Sequence, residues 1–207
     1  MSDQGRAYWD NVYVTKDDSE VSWFQQIPAT SLALIDLAQA SRDAAIIDIG
    51  GGASHLVDHL LSRGYRDVTV LDVSEAALSL ARVRLTQPLA DHVNWIVADV
   101  TQWQPPRQYD LWHDRAAFHF LVDATDRAAY VTRVKQAVAV GGHVVIGTFA
   151  IDGPGMCSGL PVRRYDADGL AAELGDQFTL IASPRAEHVT PHQKVQPFQF
   201  CLFRRVG

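Results

Sequence analysis

The sequence predicts an α/β fold: a doubly wound, mostly parallel sheet of seven strands, with helices on both faces and an antiparallel C-terminal hairpin. Three observations predict it. From Ala44 onward short β-rich runs alternate with longer segments of helical period. Four of the first five runs are almost continuously apolar, as strands are when helices cover both faces. The last two runs lie together near the C-terminus, around a polar stretch holding Pro184, Pro191 and Pro197.

In chain order, MSDQGRAYWDNVYVTKDDSE opens the protein, charged throughout and without the apolar core of a signal peptide. Pro28 begins a helix over PATSLALIDLAQAS that packs on the sheet. Strands are expected at AAIIDI, DVTVLDV, VNWIVADV, YDLWHD and HVVIGTFA. Between them, Ser54 to Arg63, Ser74 to Leu85 and Ala124 to Val140 carry apolar residues at spacings of three and four and read as helices. Ser54 and Ser74 are placed to cap two of these, and Gly64 and Gly141 to stop helices. Beyond Ile151, IDGPGMCSGLPVRRY is rich in turn formers and reads as a long loop, a feature that accompanies function more often than mere connection. Ala167 to Leu174 is a short helix, and FTLIAS with FQFCLF an antiparallel pair closing the sheet edge. The organisation expected is one domain over residues 1–207: a cap segment 1–43, a core 44–150, and a loop with closing hairpin over 151–207.

Composition narrows the function. The 207 residues are 47% hydrophobic and 20% charged, ample for one core. Eighteen Lys and Arg against 24 Asp and Glu give a net charge of −6, so the positive field that binds bulk nucleic acid is missing and that partner is not expected. Cys157 and Cys201 form no CxxC or Cys/His pattern, so neither a disulfide framework nor a metal site is expected, and a reducing cytoplasm is the expected compartment. The longest apolar run, Val144 to Ile151, is too short to span a bilayer, so a soluble protein away from membranes is expected. No heptad or isolated apolar face marks an oligomer interface.

The strongest local signal is IIDIGGGAS, a strand ending in Asp48 and running through Gly50, Gly51 and Gly52 into a helix. Glycines there let backbone amides approach a ligand; the competing reading is a turn that merely packs tightly. The second strand ends in Asp72, followed by Val73, twenty residues beyond Gly52, where an acidic side chain accepts from ribose hydroxyls. The third ends in Asp99 and Val100, a carboxylate for an adenine amino group beside an apolar wall. Two carboxylates on adjacent strand ends disfavour a pyrophosphate and suit a cofactor with hydroxyls and a positive charge. For a dinucleotide fingerprint the third glycine falls on His55, and no GxxxxGK is present.

These residues make the segment from Ala44 to Ala150 resemble the class I (seven-strand) S-adenosylmethionine-dependent methyltransferases. In that family D-x-G-x-G closes the first strand, an acidic residue the second, and Asp followed by an apolar residue the third. The resemblance implies that Asp48, Gly50 and Gly52 surround the methionine end of S-adenosylmethionine, Asp72 and Val73 the ribose, and Asp99 and Val100 the adenine, with S-adenosylhomocysteine as product. Ser54 stands where many members carry a third glycine. The closing strands extend the resemblance over nearly the whole chain.

The fourth strand and its sequel, YDLWHDRAAFHFLVD, are expected to face the reacting methyl group. Asp114 and Arg115 resemble the W-D-R-G-A run of thiopurine S-methyltransferases and the D-K-G run of elongation-factor and citrate-synthase lysine methyltransferases, with Ala116 in place of the glycine of both. AYWDNVY and EVSWFQ resemble the leading segment of the lysine-modifying group. The acceptor expected is therefore a protein lysine or a small N, O or S nucleophile; a non-catalytic cofactor-binding module and an NAD-dependent oxidoreductase are the competing readings. Tyr8, Trp9, Tyr13, Trp23 and Phe24 either cover the sulfonium, with Trp23 the foremost ligand candidate, or staple the N-terminus to the core. Asp114 and His119 are the catalytic candidates, with His113 beside them; the histidines read equally as a strand and a helix residue. Cys157 is a lid residue or an inert thiol, and Arg163 and Arg164 meet an anionic partner or only solvent.

Overall fold

The computed structural model describes residues 3–15, 18–85 and 88–207; residues 1–2 and 16–17 of the charged leader lie outside these. In chain order the elements are α1 (Asp3–Thr15), α2 (Ala29–Leu37), β1 (Ala45–Ile49), α3 (Leu56–Ser62), β2 (Asp67–Asp72), α4 (Glu75–Arg84), β3 (Val93–Val97), β4 (Tyr109–Arg115), α5 (Ala124–Ala137), β5 (Val138–Phe149), β6 (Met156–Cys157), β7 (Leu160–Pro161), α6 (Ala167–Leu174), β8 (Phe178–Ala182), β9 (Arg185–Val189) and β10 (Val195–Arg205). No helix among the described residues is long and apolar enough to cross a membrane.

The main sheet runs β3-β2-β1-β4-β5-β10-β8, with β9 paired to β10. The first five strands are parallel, and β10 is antiparallel to β5, β8 and β9. Alternate residues of the central strands feed two cores. Ile46, Val68, Val70 and Leu111 pack with Leu32, Ile35, Leu56, Leu60 and Leu78 of α2, α3 and α4. Ile47, Ile49, Trp112, Val144 and Ile146 pack with Tyr130, Val134 and Leu170 of α5 and α6. All five residues of β1 are buried, so its continuous apolar reading reflects cover on both sides. Reversal of direction from the β1–β2–β3 side to the β1–β4 side leaves a crevice at the carboxyl ends of β1 and β4, the topological switch point where such sheets bind ligands.

The structure departs from the sequence reading at defined places. The helix expected to reach Val140 ends at Ala137, and β5 starts at Val138, because Val138 is fully buried and pairs with Tyr109. Gly141 (φ +87°) therefore lies inside β5, where pairing with β4 shifts register, and is not a helix stop. The third strand stops at Val97, short of Asp99, because the Asp99 carboxylate accepts from the N–H (2.9 Å) and hydroxyl (2.8 Å) of Thr101 and turns the chain. Ser74 caps α4 as expected, accepting from Ala77 N–H at 3.1 Å. The polar stretch between the two closing runs contains β9, and the expected loop carries the two-residue ladder β6–β7. Helix α1 had no counterpart in the sequence reading.

Candidate functional site

The strand ends and glycine turn of the crevice are held by buried polar contacts that cross between elements. Asp48, 3% exposed, is hydrogen-bonded to Nδ1 of His113 at 2.7 Å, and Nε2 of that ring is hydrogen-bonded to the Ser31 hydroxyl at 2.8 Å. This chain ties β1 to β4 and α2 directly beneath the turn. Gly50 and Gly52 have φ of +63° and +43°, and a Cβ on Gly50 would lie 2.6 Å from that of Ala117. The Gly51 position is equally tight, with Asp48 Oδ2 and Val70 Cγ1 each 2.6 Å from where its Cβ would be. The turn therefore keeps its backbone open to the crevice because no side chain fits there.

The exit of the turn is clamped from α4. Arg84 donates to the carbonyls of Ala53 (2.9 Å) and Ser54 (2.8 Å) and pairs with Asp58 of α3 at 2.8 Å. Replacing Arg84 by methionine keeps most of the stem but leaves two carbonyls and a carboxylate short of a donor. Urea unfolding is expected to show a loss of ~1–3 kcal/mol.

Asp72 closes β2 at the rim. Its carboxylate accepts from Ser74 N–H at 2.8 Å, yet burial pushes its pKa up to about 7, with Asp48 and Asp10 adding repulsion. Beside it, Val73, Ala98, Asp99 and Val100 form one wall of a cleft. Ile49, Gly50, Arg115, Ala116 and Ala117 make the floor. Trp9, Tyr13, Trp23, Phe120 and Cys157 make the roof, with ring centroids of Trp9 5.6 Å from Trp23 and 5.1 Å from Phe120. The Trp23 indole donates to the Tyr13 hydroxyl at 3.1 Å. Two contacts fasten this roof: Asp10 of α1 accepts from the Ser74 hydroxyl at 2.7 Å, and the Tyr8 hydroxyl donates to the Ser158 carbonyl.

Of the residues singled out in the sequence, the fold brings Trp23, Gly50, Asp72, Val73, Asp99 and Val100 onto one cleft. Asp48 and Gly52 support the same turn without lining it; Gly52 lies against Asp72 and the Tyr13 hydroxyl. Asp114 and His119 are fully buried and do not line it. Asp114 accepts from Tyr130 Oη at 2.7 Å and from the N–H groups of Ala117 (2.9 Å) and Phe118 (3.1 Å), and so shapes the floor from below. Burial, reinforced by the Arg115 charge, pushes His119 down to about 3, and its Nδ1 accepts from Phe149 N–H at 3.4 Å; it is a neutral core ring. Cys157 reaches the cleft as a thiol that burial pushes up to about 11. Arg163 stacks on Tyr165 and reaches Glu173 at 3.5 Å, while Arg164 donates to the Gly153 carbonyl, so both are engaged with their own surface. Sequence reasoning missed the clamping role of Arg84 and the fastening role of Asp10. Arg84 reads as an ordinary basic residue in a last helical turn, and Asp10 as one more charge in the leader. No group of His, Cys, Asp and Glu among the described residues could hold a metal ion.

The comparisons agree with this architecture. A family model described as a methyltransferase domain matches residues 46–142, the stretch from β1 to the Gly141 bulge that carries the strand-end carboxylates. Nodulation protein S of Rhizobium tropici is 28% identical over 125 residues, covering 60% of this chain and 51% of that protein. The EEF1A lysine methyltransferase 2 of Danio rerio is 26% identical over 155 residues, 68% of this chain and 66% of that protein. The chain spans about half the length of the nodulation proteins it matches. The solved structure of the N-methyltransferase NodS from Bradyrhizobium japonicum, in complex with S-adenosylhomocysteine, superposes with a TM-score of 0.71 at 18% identity, covering 97% of this chain and 98% of that one, which speaks for the fold. With that strand order, a glycine turn after β1 and acidic residues closing β2 and following β3, the chain has the fold of the class I, Rossmann-like S-adenosylmethionine-dependent methyltransferases, and its residues 46–142 match the methyltransferase-domain model.

Proposed function

We propose that this chain is an S-adenosylmethionine-dependent methyltransferase whose acceptor is an unprotonated amine nitrogen, on a protein lysine or a small molecule. The observation that carries the reading is the cleft itself: Asp72 and Asp99 on one wall, an open glycine turn on the floor and an aromatic roof. Asp72 and Val73 are assigned to the ribose, Asp99 and Val100 to the adenine, Gly50 and Gly52 to the methionine end, and Asp48 to holding that turn. Trp23 is assigned to the roof over the sulfonium, whose charge interacts favourably with ring faces. The bound cofactor supplies the electrophilic methyl. The protein's part is positioning and exclusion of water, an effect that reaches ~7–11 kcal/mol in well-oriented systems.

The choice of nitrogen rests on the chemistry of the lining. Among the described residues that line the cleft there is no histidine, the thiol is protonated, and the two carboxylates are committed to the nucleoside. A hydroxyl acceptor needs a base at its own proton, whereas an amine can lose its proton to solvent first. Both the NodS N-methyltransferase and the lysine methyltransferase act, by their names, on nitrogen. The expected kcat/KM rises with pH in step with the acceptor amine's own ionisation, and His119→Asn shows the same profile; a midpoint that moves with this substitution overturns the baseless reading.

Calorimetry with S-adenosylmethionine, S-adenosylhomocysteine and NAD tests the cofactor. Binding of NAD alone overturns the proposal. A labelled-methyl assay on cell extract separated into protein and metabolite fractions then tells the two acceptor classes apart.

A further inference from the structure

Arg115 carries more hydrogen-bonding capacity than the fold uses. It ends β4, and its Nη2 donates to the Trp23 carbonyl at 2.7 Å. Its Nη1 is buried with no hydrogen-bond partner, and the guanidinium has no ion pair, among the described residues. The carboxylate that acts on it electrostatically, Asp48, is already engaged by His113. A guanidinium keeps its proton in any protein environment, so a buried, unpaired N–H at an apolar cleft calls for an acceptor that arrives with a ligand.

The sheet order says which part of the ligand. β2 and β3, which bring the nucleoside carboxylates, lie on one side of β1, and β4 lies on the other. Arg115 is therefore at the end of the cleft away from the adenine, beside Trp23 and Cys157, and it also lines the adjoining hollow with Ser54 and His55 past the glycine turn. We propose that Arg115 is a carboxylate-binding residue, its free Nη1 taking a carboxylate borne by the amino-acid end of the cofactor or by the methyl acceptor. A guanidinium suits this through its fixed, planar donors. The inference rests on the methyltransferase reading.

The test is calorimetry on the full chain, comparing the parent, Arg115→Met and Arg115→Lys. S-adenosylhomocysteine is compared with 5′-methylthioadenosine, which keeps the nucleoside and sulfur but lacks the amino-acid end. If the cofactor supplies the carboxylate, Arg115→Met weakens S-adenosylhomocysteine at least tenfold, changes methylthioadenosine less than twofold, and Arg115→Lys restores part of the difference. If the acceptor supplies it, both nucleosides bind unchanged, and 3-phenylpropionate binds the S-adenosylhomocysteine complex of the parent but not that of Arg115→Met. Equal losses for both nucleosides, or no change with any probe, overturn the proposal. A parent chain that binds neither nucleoside removes the methyltransferase reading and this proposal with it.

Discussion

Cofactor affinity is expected to strengthen as the pH rises through about 7, and Asp72→Asn is expected to remove that dependence. Ribose hydroxyls donate to a carboxylate, so binding selects the ionised form of Asp72. In the ligand-free protein burial holds the group largely protonated below about 7, and the proton must leave when the cofactor enters. Affinity thus falls up to tenfold per pH unit below that value and is flat above it, one unit being ~1.4 kcal/mol. Asparagine offers one neutral acceptor without the titration. At pH 8 it is expected to bind ~1–3 kcal/mol more weakly than the parent. Calorimetry from pH 5.5 to 8.5 checks both; parallel pH curves for parent and variant would remove Asp72 from the ribose site. Stability gives an independent reading with the opposite sign. The folded-state value lies above the ordinary 3.8, so the stabilising contribution is complete below pH 3.8 and is lost as the pH rises through about 7. The ligand-free Asp72→Asn protein is therefore expected to melt above the parent at pH 8, and this advantage shrinks on acidification.

How far the sequence spoke differs between strand ends and the contacts that brace them. Asp48, Asp72 and Asp99 were legible because each closes or follows a β-rich run and the spacing to the glycine turn is local. Their chemical partners were not: the sequence places His113 65 positions from Asp48, and only the parallel register of β1 with β4 makes them opposite residues. The same holds for His119. A histidine after the fourth strand reads as a base until the fold puts it between Phe120 and Phe149, where desolvation removes its charge. Boundaries moved where side chains overrode periodicity, as Val138 did in leaving the helical pattern to pair with Tyr109. The roof was half legible. Its aromatics stand out by composition, but the thirteen-residue helix that carries Trp9 and Tyr13 was not read, and it is held there by Trp9 and Val12 packing with Val21 as well as by the polar contacts of Asp10 and Tyr8.

The largest stability effect is expected at Asp114, which the sequence offered as a catalytic group. It is fully buried, and Trp112 Nε1 donates to Tyr130 Oη at 2.9 Å while Tyr130 Oη donates to Asp114 at 2.7 Å. From the other side the carboxylate gathers the N–H groups of Ala117 and Phe118, so one side chain joins α5 to the floor of the cleft. Asp114→Ala leaves a hydroxyl and two backbone donors without partners in a dry site and is expected to lose ~3–5 kcal/mol. The Asp114→Asn variant retains one acceptor at this position and is expected to recover part of that loss. Burial raises Asp114 to about 6, so the parent gives up stability as the pH rises through that value, whereas alanine has nothing to titrate. The deficit of Asp114→Ala is thus larger at pH 5 than at pH 8. Urea unfolding of the three proteins at both pH values, with cofactor affinity measured alongside, separates bracing from catalysis. A bracing residue lowers stability and affinity together and is rescued in both by asparagine. A normally folded, normally binding Asp114→Ala protein that has lost only turnover would return Asp114 to the chemistry.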